Sequence, residues 1–161
     1  MNEIKNKYIL SLVMLFCFFI LSAAYFIEYA LDHKPCNLCS IERIPYSLAI
    51  ALIILTAVLK KFEKIVLMLL SLLFIFGVVI SFYHFGIEQG FFKESLVCNL
   101  DSIIANLPKE DLLKELQQQT VSCKDVNFRI FGLSLATINT IISLIISVIT
   151  IKLFLNYGKN K

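Results

Sequence analysis

Four nearly unbroken apolar stretches divide the chain, and the polar positions collect between them. They run from about Tyr8 to Leu31, Ile44 to Leu59, Ile65 to Tyr83 and Ile130 to Leu155. At about 1.5 Å per residue the first is long enough to cross an apolar layer of about 30 Å with some tilt. It is too long for a cleaved leader and lacks the small-residue exit of one. The second is short and gains length by starting near Ser40. Inside lipid every backbone amide needs an internal partner, so the pattern predicts four membrane-spanning helices. The polar remainder is two loops, 32–43 and 84–129, together with a Lys60–Lys64 link and two tails. Because that link is short, spans two and three are antiparallel neighbours. The expected fold is an all-α membrane protein, a four-transmembrane-helix bundle forming a single domain over 1–161.

Composition supports this and adds a direction. Hydrophobic residues make up 58% of the chain, above the roughly half that a soluble domain carries. The apolar stretches and their loops leave no length for a separate soluble domain. The net charge is only +3, but its distribution is uneven. Lys5, Lys7, Lys60, Lys61, Lys64, Lys152, Lys159 and Lys161 face only Glu3 and Glu63 on one side of the bundle. These lysines flank apolar runs, as anchoring charges do, and none forms a nucleic-acid surface. Cationic excess marks the cytoplasmic side, so both termini are expected there and both polar loops outside. In a bacterium that outside is the periplasm, where disulfides persist. The long loop 84–129 should have local structure of its own. Within it Lys109–Gln119 predicts a short amphipathic helix, with Leu112, Leu113 and Leu116 at helical spacing. It either rests on the membrane surface or covers the bundle as a solvated helix.

The outer loops carry four cysteines. Pro35-Cys36-Asn37-Leu38-Cys39 precedes the second span. A haem attachment would need His after Cys39, where Ser40 stands. Zinc ordinarily takes four Cys or His ligands at close paired spacings, and the other pair, Cys98 and Cys123, is separated by 24 residues. A structural bridge across two residues closes a tiny loop and removes little chain entropy. Redox chemistry suits this pair best, since such bridges are strained and reducible. Cys39 falls near the expected start of the second helix, whose partial positive charge favours a thiolate. Arg43 follows at i+4 on the same face. Its guanidinium either snorkels to the surface or stabilises a thiolate or the oxygen of a bound quinone.

Cys98 and Cys123 have two readings. A structural bridge there is worth about 3 kcal/mol by chain entropy. Beside a CxxC facing the same compartment, the pair can instead pass electrons from a soluble partner to Cys36 and Cys39. Cys17 lies mid-span and reads as a small buried hydrophobe without a catalytic role. His84, at the outer end of the third span, is either an interfacial polar residue or a hydrogen-bond donor to a quinone carbonyl. Glu88 is left unassigned. Tyr25, Tyr46 and Tyr83 read as interface or packing residues, and Glu28 as an outer-interface residue.

The chain resembles the bacterial disulfide bond formation protein B (DsbB) family over most of its length. The resemblance rests on Pro35-Cys36-Asn37-Leu38-Cys39 with Glu42-Arg43, on Tyr83-His84-Phe85-Gly86-Ile87-Glu88, on the Cys98/Cys123 pair and on Phe131-Gly132-Leu133. It implies a quinone-dependent protein-disulfide oxidase of the inner membrane, working with a periplasmic thioredoxin-fold (DsbA-like) dithiol protein. A reduced partner would attack Cys98 of a Cys98–Cys123 disulfide. Cys123 would then attack Cys36, and Cys39 would leave as a thiolate facing the quinone, either ubiquinone or menaquinone. Arg43 would stabilise that pair and His84 would lie near the quinone head group. No metal enters this scheme, and a monomeric bundle suffices. The chain departs from the family in having no Trp; Ile138 stands where an aromatic residue is expected. Two other classes remain open: a non-enzymatic membrane protein with stapled loops, and a metal-handling membrane protein using CxxC as a soft ligand. A quinone-linked reductase of the vitamin K epoxide type ranks lower, because its CxxC is expected near a later span.

Overall fold

The computed structural model describes residues 2–58, 63–93, 98, 122–124, 129–130 and 132–159. Four helices hold most of them: α1 (Asn2–Tyr29), α2 (Asn37–Val58), α3 (Glu63–Glu88) and α4 (Leu135–Lys159). Each contains a segment long and apolar enough to cross a membrane: Lys7–Tyr29, Asn37–Thr56, Glu63–Glu88 and Leu135–Tyr157. The protein is thus the four-helix membrane bundle that the hydropathy pattern predicts. The amphipathic helix expected over Lys109–Gln119 lies outside the described residues, as do Lys60 and Lys61 of the basic link.

Packing follows the chain order. α3 lies most closely against α4, then against α2, and α2 packs on α1. Cys17, Ala49, Leu67, Leu70 and Phe74 are shielded completely in the shared core. Cys17 is there as the buried hydrophobe expected of it. Large apolar side chains also cover the outer faces, among them Leu12, Phe18, Ile75, Val79 and Ile145. Helices apolar on every side suit lipid rather than water. Three buried hydroxyls bond within their own helix: Ser71 donates to the Leu67 carbonyl, Ser81 to Gly77 and Thr150 to Ile146. That local bonding lets polar residues sit in an apolar bundle without orphaned donors.

The helix ends differ from the hydropathy boundaries, each for a local reason. α1 ends at Tyr29 rather than Leu31, and Asp32 adopts a left-handed φ of 54°. α2 begins at Asn37, well before Ile44, because Cys36 caps it: the Cys36 sulfur accepts the Cys39 amide at 3.2 Å. α3 continues through His84 to Glu88 instead of stopping at Tyr83. Its end is a Schellman turn, in which Gly90 (φ 77°) donates to the Ile87 carbonyl and Phe91 to that of Gly86. Residues 129–130 and 132–134 do not join the last helix. Strands β1 (Arg129–Ile130) and β2 (Leu133–Ser134) pair antiparallel across a turn with Gly132 at φ 83°. Ser134 then caps α4 by accepting the Thr137 amide at 3.2 Å.

Gly86 has a second duty beside its carbonyl. A Cβ at this position would stand 2.1 Å from Phe92 Cδ2, and the Phe92 ring is stacked on Tyr83 with centroids 5.6 Å apart. Gly86→Ala therefore displaces that ring, at a cost of about 1–3 kcal/mol for overpacking. A lower melting temperature in detergent is the expected readout. An unchanged melt would mean that the ring swings aside freely.

Candidate functional site

The antiparallel order brings the end of α1, the start of α2, the end of α3 and the start of α4 to one end of the bundle. There Cys36, Leu38, Ile87, Cys98 and Cys123 form one buried cluster, with Cys39, Ile41, Ile80 and Tyr83 packed against it. Cys98 and Cys123 are joined by a disulfide. Cys36 and Cys39 are free thiols whose sulfurs lie 2.7 Å apart. Both cysteine pairs thus share one cluster, although they come from different loops.

The Cys36 sulfur occupies the capping position of α2. It receives the Cys39 amide at 3.2 Å, and it lies 2.7 Å from the Cys39 sulfur. The hydrogen bond with Cys39 is the largest cause that holds Cys36 below the ordinary thiol range, against burial, which raises it. The sequence reading gave the favourable helix end to Cys39. The sulfur that receives the helix-end amide is that of Cys36 instead, because the helix starts one residue after it.

His84 reaches this dithiol from α3. Its Nε2 lies 3.6 Å from Cys36 Sγ, and its Nδ1 lies 2.8 Å from Glu42 Oε1. A carboxylate oxygen only accepts, so Nδ1 carries a proton and donates it. In the neutral ring the lone pair at Nε2 then faces Cys36. Glu42 is held in turn: Asn139 Nδ2 donates to its Oε2 at 2.7 Å. Tyr46 donates to Asn139 Oδ1, and Ser143 lies 3.0 Å from the Tyr46 oxygen. Glu42 and His84 are both buried. Each oxygen of the carboxylate therefore has a directed donor, which offsets much of the cost of burying it. On the other side Glu88 Oε1 is 3.9 Å from His84 Nε2, and Ser134 donates to Glu88 Oε2.

Arg43 points to α1. It pairs with Glu28, and its guanidinium carbon stands 5.0 Å from the centre of the Tyr25 ring. It also lines a cavity of about 330 Å³. α1 packs on α2 rather than closely on α4, and the cavity fills that gap. Its lining mixes Cys36, Cys39, Glu42 and His84 with the apolar Phe19, Ile20 and Ile142. Cys123 belongs to the same wall, and so does Ile138, where the sequence reading expected an aromatic residue. The size and the mixed lining are those of a small-molecule pocket.

The Cys98–Cys123 bond is covered. Cys98 is 5% exposed and Cys123 2%, too little for a soluble protein to reach either sulfur without local opening. The loop's polar composition had suggested direct access.

Sequence reasoning quoted Glu42 in the family motif without giving it a role, passed over Asn139 and Ser143, treated Tyr46 as an interface or packing residue and left Glu88 unassigned. One signal was available: an ionisable or amide side chain within a membrane span is costly, and so a functional candidate by default. Glu42 and Asn139 meet that description.

The family described as Disulfide bond formation protein DsbB matches residues 6–153. A protein of Rickettsia prowazekii (strain Madrid E), named Uncharacterized protein RP370, is 28% identical over 97% of this chain and 92% of its own length.

Proposed function

We infer that this chain, which belongs to the DsbB family of disulfide bond formation proteins, is a quinone-linked thiol oxidase of a bacterial inner membrane. Membrane disulfide bond formation is the family's activity. The finer reading is that the chain reoxidises a DsbA-like thioredoxin-fold protein in the periplasm. The observation that carries it is the shared cluster of two cysteine pairs, of which Cys36, Cys39 and Cys123 line a cavity with both polar and apolar side chains. A quinone, ubiquinone or menaquinone, likewise joins a polar ring to an apolar tail. When bound, a quinone supplies an acceptor for two electrons and two protons at a potential above that of a strongly oxidising dithiol carrier.

The protein's own steps balance as thiol–disulfide exchange. The reduced partner attacks Cys98 after the covered bond opens, and its second thiol completes its own disulfide. Cys123 then attacks Cys36 of an oxidised Cys36–Cys39 pair, and Cys39 leaves. Attack by Cys98 on Cys123 restores their disulfide and leaves Cys36 and Cys39 as thiols. That is the distribution described above, and the electron pair is then beside the cavity. As the pair departs, both thiol protons leave with it, that of Cys36 by way of His84 Nε2, and the Cys36–Cys39 bond re-forms. Glu42 keeps the His84 lone pair aimed at Cys36. Arg43, fixed by Glu28 and Tyr25, puts positive charge on the cavity wall, where it favours negative charge developing on a bound ring.

The lysines Lys7, Lys64 and Lys152 lie toward the end of the bundle opposite the cysteines, which supports cytoplasmic termini and periplasmic cysteine loops. The chain acts as one membrane domain and as a monomer in this reading. The test is purified protein, quinone and a reduced DsbA-like donor. One quinol should form per donor disulfide, and a donor whose second thiol is replaced by serine should accumulate as a mixed disulfide at Cys98. Donor oxidation without quinol, or trapping at Cys36 alone, would overturn the scheme.

A further inference from the structure

We propose that the reduced Cys36–Cys39 dithiol and His84 together form a zinc site, which exists only while those thiols are reduced. Cys36 Sγ, Cys39 Sγ and a His84 ring nitrogen lie within 4.8 Å of one another. Tetrahedral zinc, with bonds of about 2.3 Å to sulfur and about 2.0 Å to nitrogen, sets a sulfur and a nitrogen roughly 3.5 Å apart. Cys36 Sγ and His84 Nε2 are already 3.6 Å apart. The same geometry wants the sulfurs roughly 3.8 Å apart. They stand at 2.7 Å, so the Cys39 side chain must turn by about an ångström. Cys39 lines the cavity and has room to do so. The fourth position opens onto that cavity and takes water.

What surrounds the three ligands matches a metal-binding histidine. Such a histidine offers one nitrogen to the ion and donates from the other to a carboxylate, which fixes its tautomer and raises its basicity. His84 Nδ1 makes that bond to Glu42 at 2.8 Å, and Asn139 holds the second Glu42 oxygen at 2.7 Å. Zinc had little support in the sequence, because Cys98 and Cys123 are separated by 24 residues rather than by two. The third ligand comes instead from α3, 48 positions beyond Cys36.

The chemistry needs no oxidant. Two thiols bind one zinc ion and release two protons, and no electrons move. An oxidised Cys36–Cys39 pair offers no thiolate, so metal binding and the disulfide exclude each other. Zinc on the reduced pair would hold back its electron pair and brake the oxidase. The binding rests on the thiols and the histidine alone; only the braking rests on the function proposed above.

The test uses the full chain carrying Cys98→Ser and Cys123→Ser, so that only one dithiol remains. In detergent, the reduced protein should take up one zinc ion in competition with a chromophoric chelator. Diamide-oxidised protein should take up none. His84→Ala should abolish stoichiometric binding, and Glu42→Gln should weaken it about 10- to 100-fold. X-ray absorption at the zinc edge of otherwise unsubstituted sites should show two sulfur and two nitrogen or oxygen neighbours. Equal uptake by oxidised protein, undiminished uptake by His84→Ala or a four-sulfur shell would overturn the proposal. Zinc binding without quinol formation by the parent protein would count against the oxidase reading alone. Quinol formation with no zinc uptake would count against the zinc site alone.

Discussion

Cys36→Ser lowers steady-state quinol formation at least about a thousandfold, while one equivalent of donor is still oxidised. The asymmetry follows from where the two bonds lie. The Cys98–Cys123 disulfide is intact in the variant and can accept two electrons from a donor. It cannot pass them on, because an oxygen at position 36 accepts no attack from Cys123. Donor oxidation should therefore stop after a burst of one disulfide per protein, with no quinone consumed. Quinone absorbance and donor thiol titration, followed together, read both halves. Continued quinol formation would mean that electrons leave from Cys98 and Cys123 directly and that the dithiol on α2 is not on the route. No burst at all would mean that the covered bond, with Cys98 only 5% exposed, never opens to a donor. That outcome would return the second pair to the role of a staple.

The bundle was readable from hydropathy because lipid imposes a strong length rule on each span. The helix ends were less readable because side-chain bonds set them, and hydropathy does not see such bonds. α3 keeps its helix through His84 and Glu88, whose side chains are satisfied by Glu42 on α2 and Ser134 before α4. A window average treats those residues as the start of a loop. Likewise Cys36 looks like a loop residue until its sulfur is seen to cap α2. The cysteine pairs and His84 were visible as types and spacings. Their meeting was not, since it joins positions 36, 84 and 123 from the start of α2, the end of α3 and the outer loop. Arg43 illustrates the remaining gap. Its place on the face of Cys39 follows from i+4 spacing, but its ion pair with Glu28 depends on how α1 lies against α2.

Glu42→Gln should lower kcat for quinol formation about 100-fold, within the usual worth of a positioned base, with the donor KM unchanged. The glutamine is nearly the same size, so the argument turns on donors and acceptors. Wild-type Glu42 accepts twice, from His84 Nδ1 and from Asn139 Nδ2. Glutamine has one oxygen for those two donors. If its oxygen stays on Asn139, its NH2 group faces Nδ1. His84 can then relieve the clash by moving its proton to Nε2, which aims an N–H at Cys36 where a lone pair is needed. If its oxygen turns to His84, the NH2 group meets Asn139, whose amide must flip and break its bond from Tyr46. Asn139→Ala removes only the outer support and should cost about tenfold. A purely structural network would lower the melting temperature of both variants and leave quinol formation intact at saturating donor. Full kcat in a well-folded Glu42→Gln protein would show that His84 needs no carboxylate to serve Cys36.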